Sequence, residues 1–320
     1  MSAAVVTGSA GFIGRMLVAA LAERGPVIGI DRRPQPSQTT PQPPQATQTT
    51  QHGVCFITAD LLDLPPAARA ALATASSVYH LAGCPDVRDA RSDADQWRYR
   101  DNVLATGAVL AAVPMSTALL VASSSSVYGG SRGGRPSAEH HRLRPRGGYA
   151  RSKVVVEQLC GARAQAGGRV AVVRPFTVAG EGQRPGMALS QWIAAARDGR
   201  PLRIFGSLRR SRDITDVRDA VRALVELGDL ARAGEPIGTV NLGTGAPLRL
   251  GEIVDAIGRV LGTPVHTAVE PAATVEVEHT LADTTRLRTL LGWSPRTDVD
   301  ALVARQLAHT PEAAALSPAS

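Results

Sequence analysis

Short apolar runs alternating with longer amphipathic segments set the rhythm of the first half of the chain. The runs are AAVVT (3–7), PVIGID (26–31), VCFITA (54–59), SVYHLA (77–82), ALLVASS (118–124) and RVAVVRP (169–175). Near-continuous apolar strands of this kind belong to parallel sheets, whose two faces are both covered by helices. Between them, FIGRMLVAALAER and DNVLATGAVLAAV carry apolar residues at i, i+3, i+4 and i+7, the spacing of a helix with one face on a sheet. The alternation predicts an α/β fold, a doubly wound parallel sheet over residues 1–175. From residue 176 the rhythm loosens into loops such as AGEGQRPGM and FGSLRRSRD, then a strand in TVNLGTG and a helix in LGEIVDAIGRVLG. This predicts a smaller C-terminal lobe over 176–320 that closes over the strand ends and holds substrate, with the strand near 239–243 returning to the first sheet.

Two stretches fall outside this pattern. Residues 34–51 are nearly all Pro, Gln and Thr, a composition that buries too little apolar surface to offset the entropy of ordering, so a disordered surface insertion is expected there. The end of the chain from Thr310, rich in Ala, Pro and Ser, is expected to fray.

Composition narrows the function. Hydrophobic residues make up 44% of the 320 and aromatic residues only 3%, which suits tight helix-on-sheet packing and not base stacking. The net charge of +7 calls for acidic partners, but the arginines are scattered and form no basic block, so a polyphosphate-bearing small molecule is expected and nucleic acid is not. Cys55, Cys84 and Cys160 form no CxxC pair and read as thiols of a reducing, cytoplasmic compartment. His140 and His141 are the only adjacent histidines and have no further ligands nearby in sequence, so no metal is expected. No leader is recognisable, and no apolar run approaches the roughly 18 residues of a membrane span, so no membrane association is expected.

Two motifs carry candidate chemistry. TGSAGFIG (7–14) follows the first strand and opens the first helix, with Gly8, Gly11 and Gly14 around Phe12 and Ile13. Glycines let the backbone approach a pyrophosphate, which then sits on the helix N-terminus, and strand, turn and helix together make a Rossmann-type dinucleotide site. Asp31 closes the second strand 17 residues after Gly14, where a carboxylate accepts from ribose hydroxyls and repels a 2′-phosphate. NAD is therefore the expected cofactor, although Arg32 and Arg33 stand where an arginine could accommodate that phosphate. The second motif is YARSK (149–153). Lysine and arginine together number 35, and Lys153 is the single lysine. A compact ammonium on a flexible stem suits a narrow niche beside a phenol, whereas a planar guanidinium does not.

With ITADL, YHLAG, NVLAT, VASSSSVYG, RPFTVAGEGQRPGM, RDITDVRDAV and VNLGTG following in order, residues 3 to 300 resemble the extended short-chain dehydrogenase/reductases, in the epimerase/dehydratase branch that acts on nucleotide sugars. The resemblance implies that Asp60 and Leu61 lie near the adenine, that Leu81 and Ala82 line the cofactor cleft and that Asn102 props the sheet. It makes Tyr149 the general base, Lys153 the nicotinamide-ribose ligand that lowers the phenol pKa, and Ser124 the residue that orients the substrate hydroxyl. Ser125 and Ser126 stand where sugar dehydratases carry an Asp-Glu pair and where uronate decarboxylases carry a glutamate, which leaves epimerisation. FTVAGEGQRPGM (176–187) and DVR (86–88) are most similar to the UDP-glucuronate 4-epimerases, including those of antibiotic pathways, and imply Arg184, Arg88 and Thr177 around a sugar carboxylate and Arg212 at the diphosphate. A homodimer through the helices over 102–112 and 149–166 is implied as well. The chain departs from that pattern at Ala179, Gly186 and Ile214, and above all at Ala273, where an arginine for the diphosphate is usual. A neutral UDP-hexose 4-epimerase, a 4-keto-sugar reductase and a catalytically silent NAD-binding regulator remain alternatives.

Overall fold

The computed structural model describes residues 2–34, 48–51, 53–85, 92–273 and 276–309. The apolar runs become strands β1 (Ala4–Thr7), β2 (Val27–Asp31), β4 (Val54–Thr58), β5 (Ser77–His80), β6 (Ala118–Ala122) and β7 (Val170–Pro175), and a further strand, β3 (Gln48–Gln51), precedes β4. Helices α1 (Phe12–Ala22), α2 (Pro66–Thr74), α3 (Ala94–Arg98), α4 (Ala105–Ala112) and α5 (Gly147–Gln165) connect them. The chain continues through β8 (Thr177–Ala179), α6 (Ala188–Arg197), β9 (Leu202–Phe205), β10 (Ser211–Asp216), α7 (Val217–Ala233), β11 (Thr239–Leu242), β12 (Pro247–Arg249), α8 (Leu250–Leu261), β13 (Thr267–Glu270), α9 (Thr285–Leu291) and α10 (Val299–His309).

The central sheet has eight strands in the order β11-β7-β6-β5-β1-β2-β4-β3, all parallel except β3, which runs antiparallel to β4 at the edge. Alternation along each strand sends successive side chains to opposite faces. Val6 and Leu120 enter the core under α1 and α7, whereas Val5, Leu119 and Val121 enter the core under α2, α4 and α5. Helix α7 buries Val217, Ala220, Val221, Leu224 and Leu227 at helical spacing, is capped at its start by the Asp216 carboxylate and ends at Gly234 with φ 101°. Both α7 and β11 thus complete the first lobe although they lie well after residue 175. The second lobe has a core of its own, built from α6, β9, α8 and α10 around Ile193, Ile204, Ile257 and Leu302.

The expectation for 34–51 needs correcting at one end. Residues 35–47 lie outside the described residues, but Gln48–Gln51 form β3, paired with β4 from Gln48 opposite Ile57 to Gln51 opposite Val54. An edge strand buries little, and two threonines suit the extended backbone, so a polar sequence can hold this place through main-chain bonds alone. The end of the chain from Thr310 also lies outside the described residues. Among the described residues no helix is long and apolar enough to cross a membrane.

Candidate active site

The chain order reverses between β1 and β5, and a cleft of about 1170 Å³ opens over the C-terminal ends of the strands there, as expected at the switch point of a doubly wound sheet. Every residue singled out for the site lines this cleft, except Arg88, which lies outside the described residues.

The glycine turn forms the floor of one end. Gly8 has φ 76°, and a Cβ there would stand 2.6 Å from the Ala82 nitrogen; one on Gly14 would overlap the Gly8 carbonyl oxygen. Gly11 caps α1 without a side-chain partner, which leaves the first amides of the helix available to an anion. This bare, cleft-facing helix start fits the pyrophosphate of NAD. Asp31 accepts the Ala10 N–H at 3.0 Å and the Arg33 N–H at 2.9 Å, so it fixes the turn as well as facing the cleft. Arg33 is held by Asp31, and Arg32 pairs with Asp101 at 2.8 Å. Arg100 in turn bridges Asp101 and Asp60. With both arginines of the rim matched to carboxylates, a 2′-phosphate finds no spare cation in either, and the site is suited to NAD.

At the other end, Tyr149 and Lys153 lie one turn apart on α5 and both face inward. Lys153 Nζ donates to the Ala122 carbonyl at 2.8 Å, at the end of β6. Asn102 sits in a π-helical turn, Tyr99–Leu104, between α3 and α4. Its Oδ1 accepts the Cys84 N–H at 2.7 Å, and its Nδ2 donates to Cys84 O at 3.2 Å and Ser152 Oγ at 2.9 Å, which ties the end of β5 to α5. A π-turn often marks a functional position, and here it aims this amide at two elements at once. Burial lowers the Lys153 ammonium to about 8. Burial also pushes the Tyr149 phenol up, against a hydrogen bond from Ser124 and the charge of Arg184. Burial thus works against the charged form of both groups, but with a pKa of about 8 the ammonium stays mostly protonated at neutral pH, and further positive charge at the phenol would favour the phenolate. His80 takes no part: it is clamped between Thr7 and Thr106 at 2.7 and 3.0 Å, and burial drops it to about 3.

Ser124 caps a 3₁₀ turn, Ser125–Tyr128, its Oγ accepting the Ser126 N–H at 3.2 Å. Ser126 Oγ is buried in the cleft wall with no hydrogen-bond partner among the described residues. Thr177 stands at the start of β8, and Arg184 is exposed at the tip of the loop that follows, its Nη2 3.8 Å from Met187 Sδ. Arg212 is differently placed from a free clamp. It donates to the carbonyls of Ser211 (2.8 Å), Val277 (2.9 Å) and Glu278 (3.1 Å) and lies 3.4 Å from a Glu276 carboxylate oxygen, so a diphosphate would compete with protein acceptors for it. Ala273, on the same segment, is exposed.

Sequence reasoning missed a buried pair that shapes this site. Arg174, 4% exposed at the end of β7, makes a bidentate bond to Glu157 at 2.8 and 2.7 Å and also donates to Tyr128 Oη at 2.7 Å. Glu157 Oε1 accepts the Ser123 hydroxyl at 2.5 Å, directly beside Ser124. Two signals were present: Glu157 lies one turn beyond Lys153, and Arg174 interrupts an otherwise apolar strand.

Comparison with known proteins gives a consistent picture. A family model described as the NAD dependent epimerase/dehydratase family matches residues 4–243. A probable UDP-glucuronate 4-epimerase of Rhizobium meliloti (strain 1021) is 31% identical over 324 residues, spanning 94% of this chain and 94% of that relative. The structure of MoeE5 in complex with UDP-glucuronic acid and NAD matches with a TM-score of 0.84 at 34% identity, over 96% of this chain and 98% of the other. MoeE5 is also known in complex with UDP-glucose and NAD. UDP-glucuronic acid 4-epimerase from Bacillus cereus, in complex with UDP-glucuronic acid and NAD, matches with a TM-score of 0.84 at 25% identity, over 96% of this chain and 98% of the other.

Proposed function

The chain belongs to the NAD dependent epimerase/dehydratase family, and from that premise we propose that it inverts C4 of a nucleotide sugar, converting UDP-glucuronate to UDP-galacturonate. The observation that carries the reading is the joint placement of Ser124, Tyr149 and Lys153 in one cleft with the uncapped glycine turn, with Ser125 and Ser126 at the positions where the family resemblance puts acids in other branches. When bound, NAD supplies the hydride acceptor and then the hydride donor. Tyr149 takes the proton of the C4 hydroxyl while Ser124 holds its oxygen, and Lys153 supplies the charge that favours the phenolate. The 4-keto sugar then presents its other face, and Tyr149 returns the proton. For a uronate this intermediate is a β-keto acid prone to lose carbon dioxide, so the grip on the carboxylate protects the product as well as the affinity.

Incubation with UDP-glucuronate and catalytic NAD should produce UDP-galacturonate, read from the H4 couplings by NMR, without net NADH. Stoichiometric consumption of a reduced cofactor would point to a ketoreductase instead, and no hydride transfer with any nucleotide sugar to a silent binding protein. Arg184 is the side chain we assign to the carboxylate, since its charge acts on Tyr149 from the tip of the loop. Arg184→Leu should lose a charge-assisted contact of about 1.5 to 3 kcal/mol, lowering uronate turnover by roughly ten- to a hundred-fold. UDP-glucose lacks the charge and should suffer far less. Equal losses on both would favour the neutral-hexose reading, for which the UDP-glucose complex of MoeE5 speaks.

The protein is further read as a homodimer. Trp97, Tyr99 and Leu104 are 40%, 55% and 44% exposed along the α3–α4 segment beside α5, an apolar face suited to a second copy. A monomer at micromolar concentration in sedimentation would overturn this. We read the pathway as antibiotic assembly, in line with the family resemblance and with the likeness to TunA, a dehydratase involved in tunicamycin biosynthesis.

A further inference from the structure

Arg15 follows Gly14 in the first turn of α1 and lines the cleft. Among the described residues its guanidinium has one hydrogen-bond partner, the carbonyl of Gly182, and no carboxylate within ion-pairing distance. The guanidinium is half-buried, and most of its five N–H donors have no protein acceptor among the described residues. Gly182 belongs to the loop of residues 180–187 that carries Arg184. It has φ 75°, and a side chain there would collide with the Arg15 guanidinium, so the glycine makes the contact possible. The residues on either side are fixed to other elements. Glu181 pairs with Arg218 at 2.6 Å and Arg305 at 3.4 Å, and Gln183 bonds Val178 O at 3.3 Å and Gln306 at 3.2 Å. Only Arg184, Pro185 and Gly186 at the tip are exposed.

We propose that Arg15 is a positioning residue that couples the two ligands, taking a pyrophosphate oxygen of the dinucleotide with its free edge while holding the Gly182 carbonyl with Nη2. Occupancy at the glycine turn then fixes the loop that presents Arg184 to the sugar nucleotide. An arginine fork can serve two acceptors on opposite edges; a lysine ammonium cannot span both. This rests on the assignment of NAD to the glycine turn, and coupling of this kind is reciprocal: each ligand must tighten the other by the same factor.

The test measures affinity for UDP-glucuronate with a Tyr149→Phe background to suppress turnover, with and without saturating NAD, in the presence of Arg15 and in Arg15→Ala and Arg15→Lys. With Arg15, NAD should tighten the sugar nucleotide by about tenfold. Arg15→Ala should weaken NAD and bring the coupling factor close to one, with the melting temperature of the cofactor-free protein unchanged. Arg15→Lys should recover most of the NAD affinity, because the charge is kept, but little of the coupling. A coupling factor that survives in Arg15→Ala overturns the proposal while leaving the epimerase reading intact, as does a lowered melting temperature with coupling preserved. If the protein with Arg15 binds both ligands without coupling, the proposal falls alone; if it binds no NAD, the cofactor assignment falls with it.

Discussion

Lys153→Met should give a protein that is more stable than the parent and almost inactive. Lys153 is 7% exposed, and burial lowers its pKa from 10.5 to about 8. Because the folded pKa is depressed, the unfolded chain binds more protons between pH 8 and 10.5, and stability rises with pH through that window. Below pH 8 the cost of the buried charge is fully present and amounts to about 3 kcal/mol. A methionine removes that cost but also the bond to the Ala122 carbonyl, worth about 1 kcal/mol, so a net gain of about 2 kcal/mol is expected at pH 7. The gain should shrink as pH rises and turn into a loss of about 1 kcal/mol above pH 10.5, where the neutral amine carries no charge cost but still donates to the Ala122 carbonyl. Activity should fall by about 10²- to 10⁴-fold, the usual contribution of a positioned acid–base group. Denaturant unfolding of the cofactor-free protein from pH 6 to 11, beside NMR turnover assays, reads both effects. A destabilised Lys153→Met at pH 7, or one with parental turnover, contradicts this account. Lys153→Arg should lose on both counts, since the niche is closed by the Ala122 carbonyl, Asn102 and Gly83, whose Cβ position would lie 3.6 Å from Nζ. The single lysine of the chain stands where a wider cation does not fit.

Arg174→Met should be the most destabilising change near the site. It would leave the Glu157 carboxylate buried without its bidentate partner and Tyr128 without the guanidinium 4.9 Å above its ring. Removing one member of a buried ion pair costs about 3 to 5 kcal/mol, mostly through the charge left behind. The double variant Arg174→Met/Glu157→Gln should recover much of that loss, because the uncompensated charge is gone. Turnover should nevertheless stay low in both, since the pair holds Ser123 and, through it, the backbone of Ser124. Urea unfolding of the parent, Arg174→Met, Glu157→Gln and the double variant separates the contributions. A double variant as unstable as the sum of its singles would show that packing, and not the stranded charge, sets the cost.

The parts of this protein legible in its sequence are those fixed by local geometry. A parallel strand buried on both faces must be apolar throughout, so β1, β2, β4, β5, β6 and β7 announce themselves as runs, and their alternation with amphipathic helices dictates the doubly wound sheet. Tyr149 and Lys153, four apart, share a helix face whatever surrounds the helix, and the glycines at 8, 11 and 14 answer to the close approach of the turn to itself and to Ala82. Strand β3 is not legible because an edge strand needs main-chain partners more than apolar side chains, and the lobe that α7 joins is not legible because its apolar stripe is the same whichever core it faces.

Only the tertiary structure decided how the charges are used. Among so many arginines nothing local separates Arg212, shared among Glu276 and three carbonyls, from Arg184, exposed at a loop tip, or from Arg15, bonded to a carbonyl far along the chain. The pairing of Arg174 with Glu157 and of Arg32 with Asp101 likewise waits on the packing of separate elements. The physical reason is that a guanidinium fork accepts any well-placed oxygen, so its partner is set by which loops closure of the fold brings within about 3 Å.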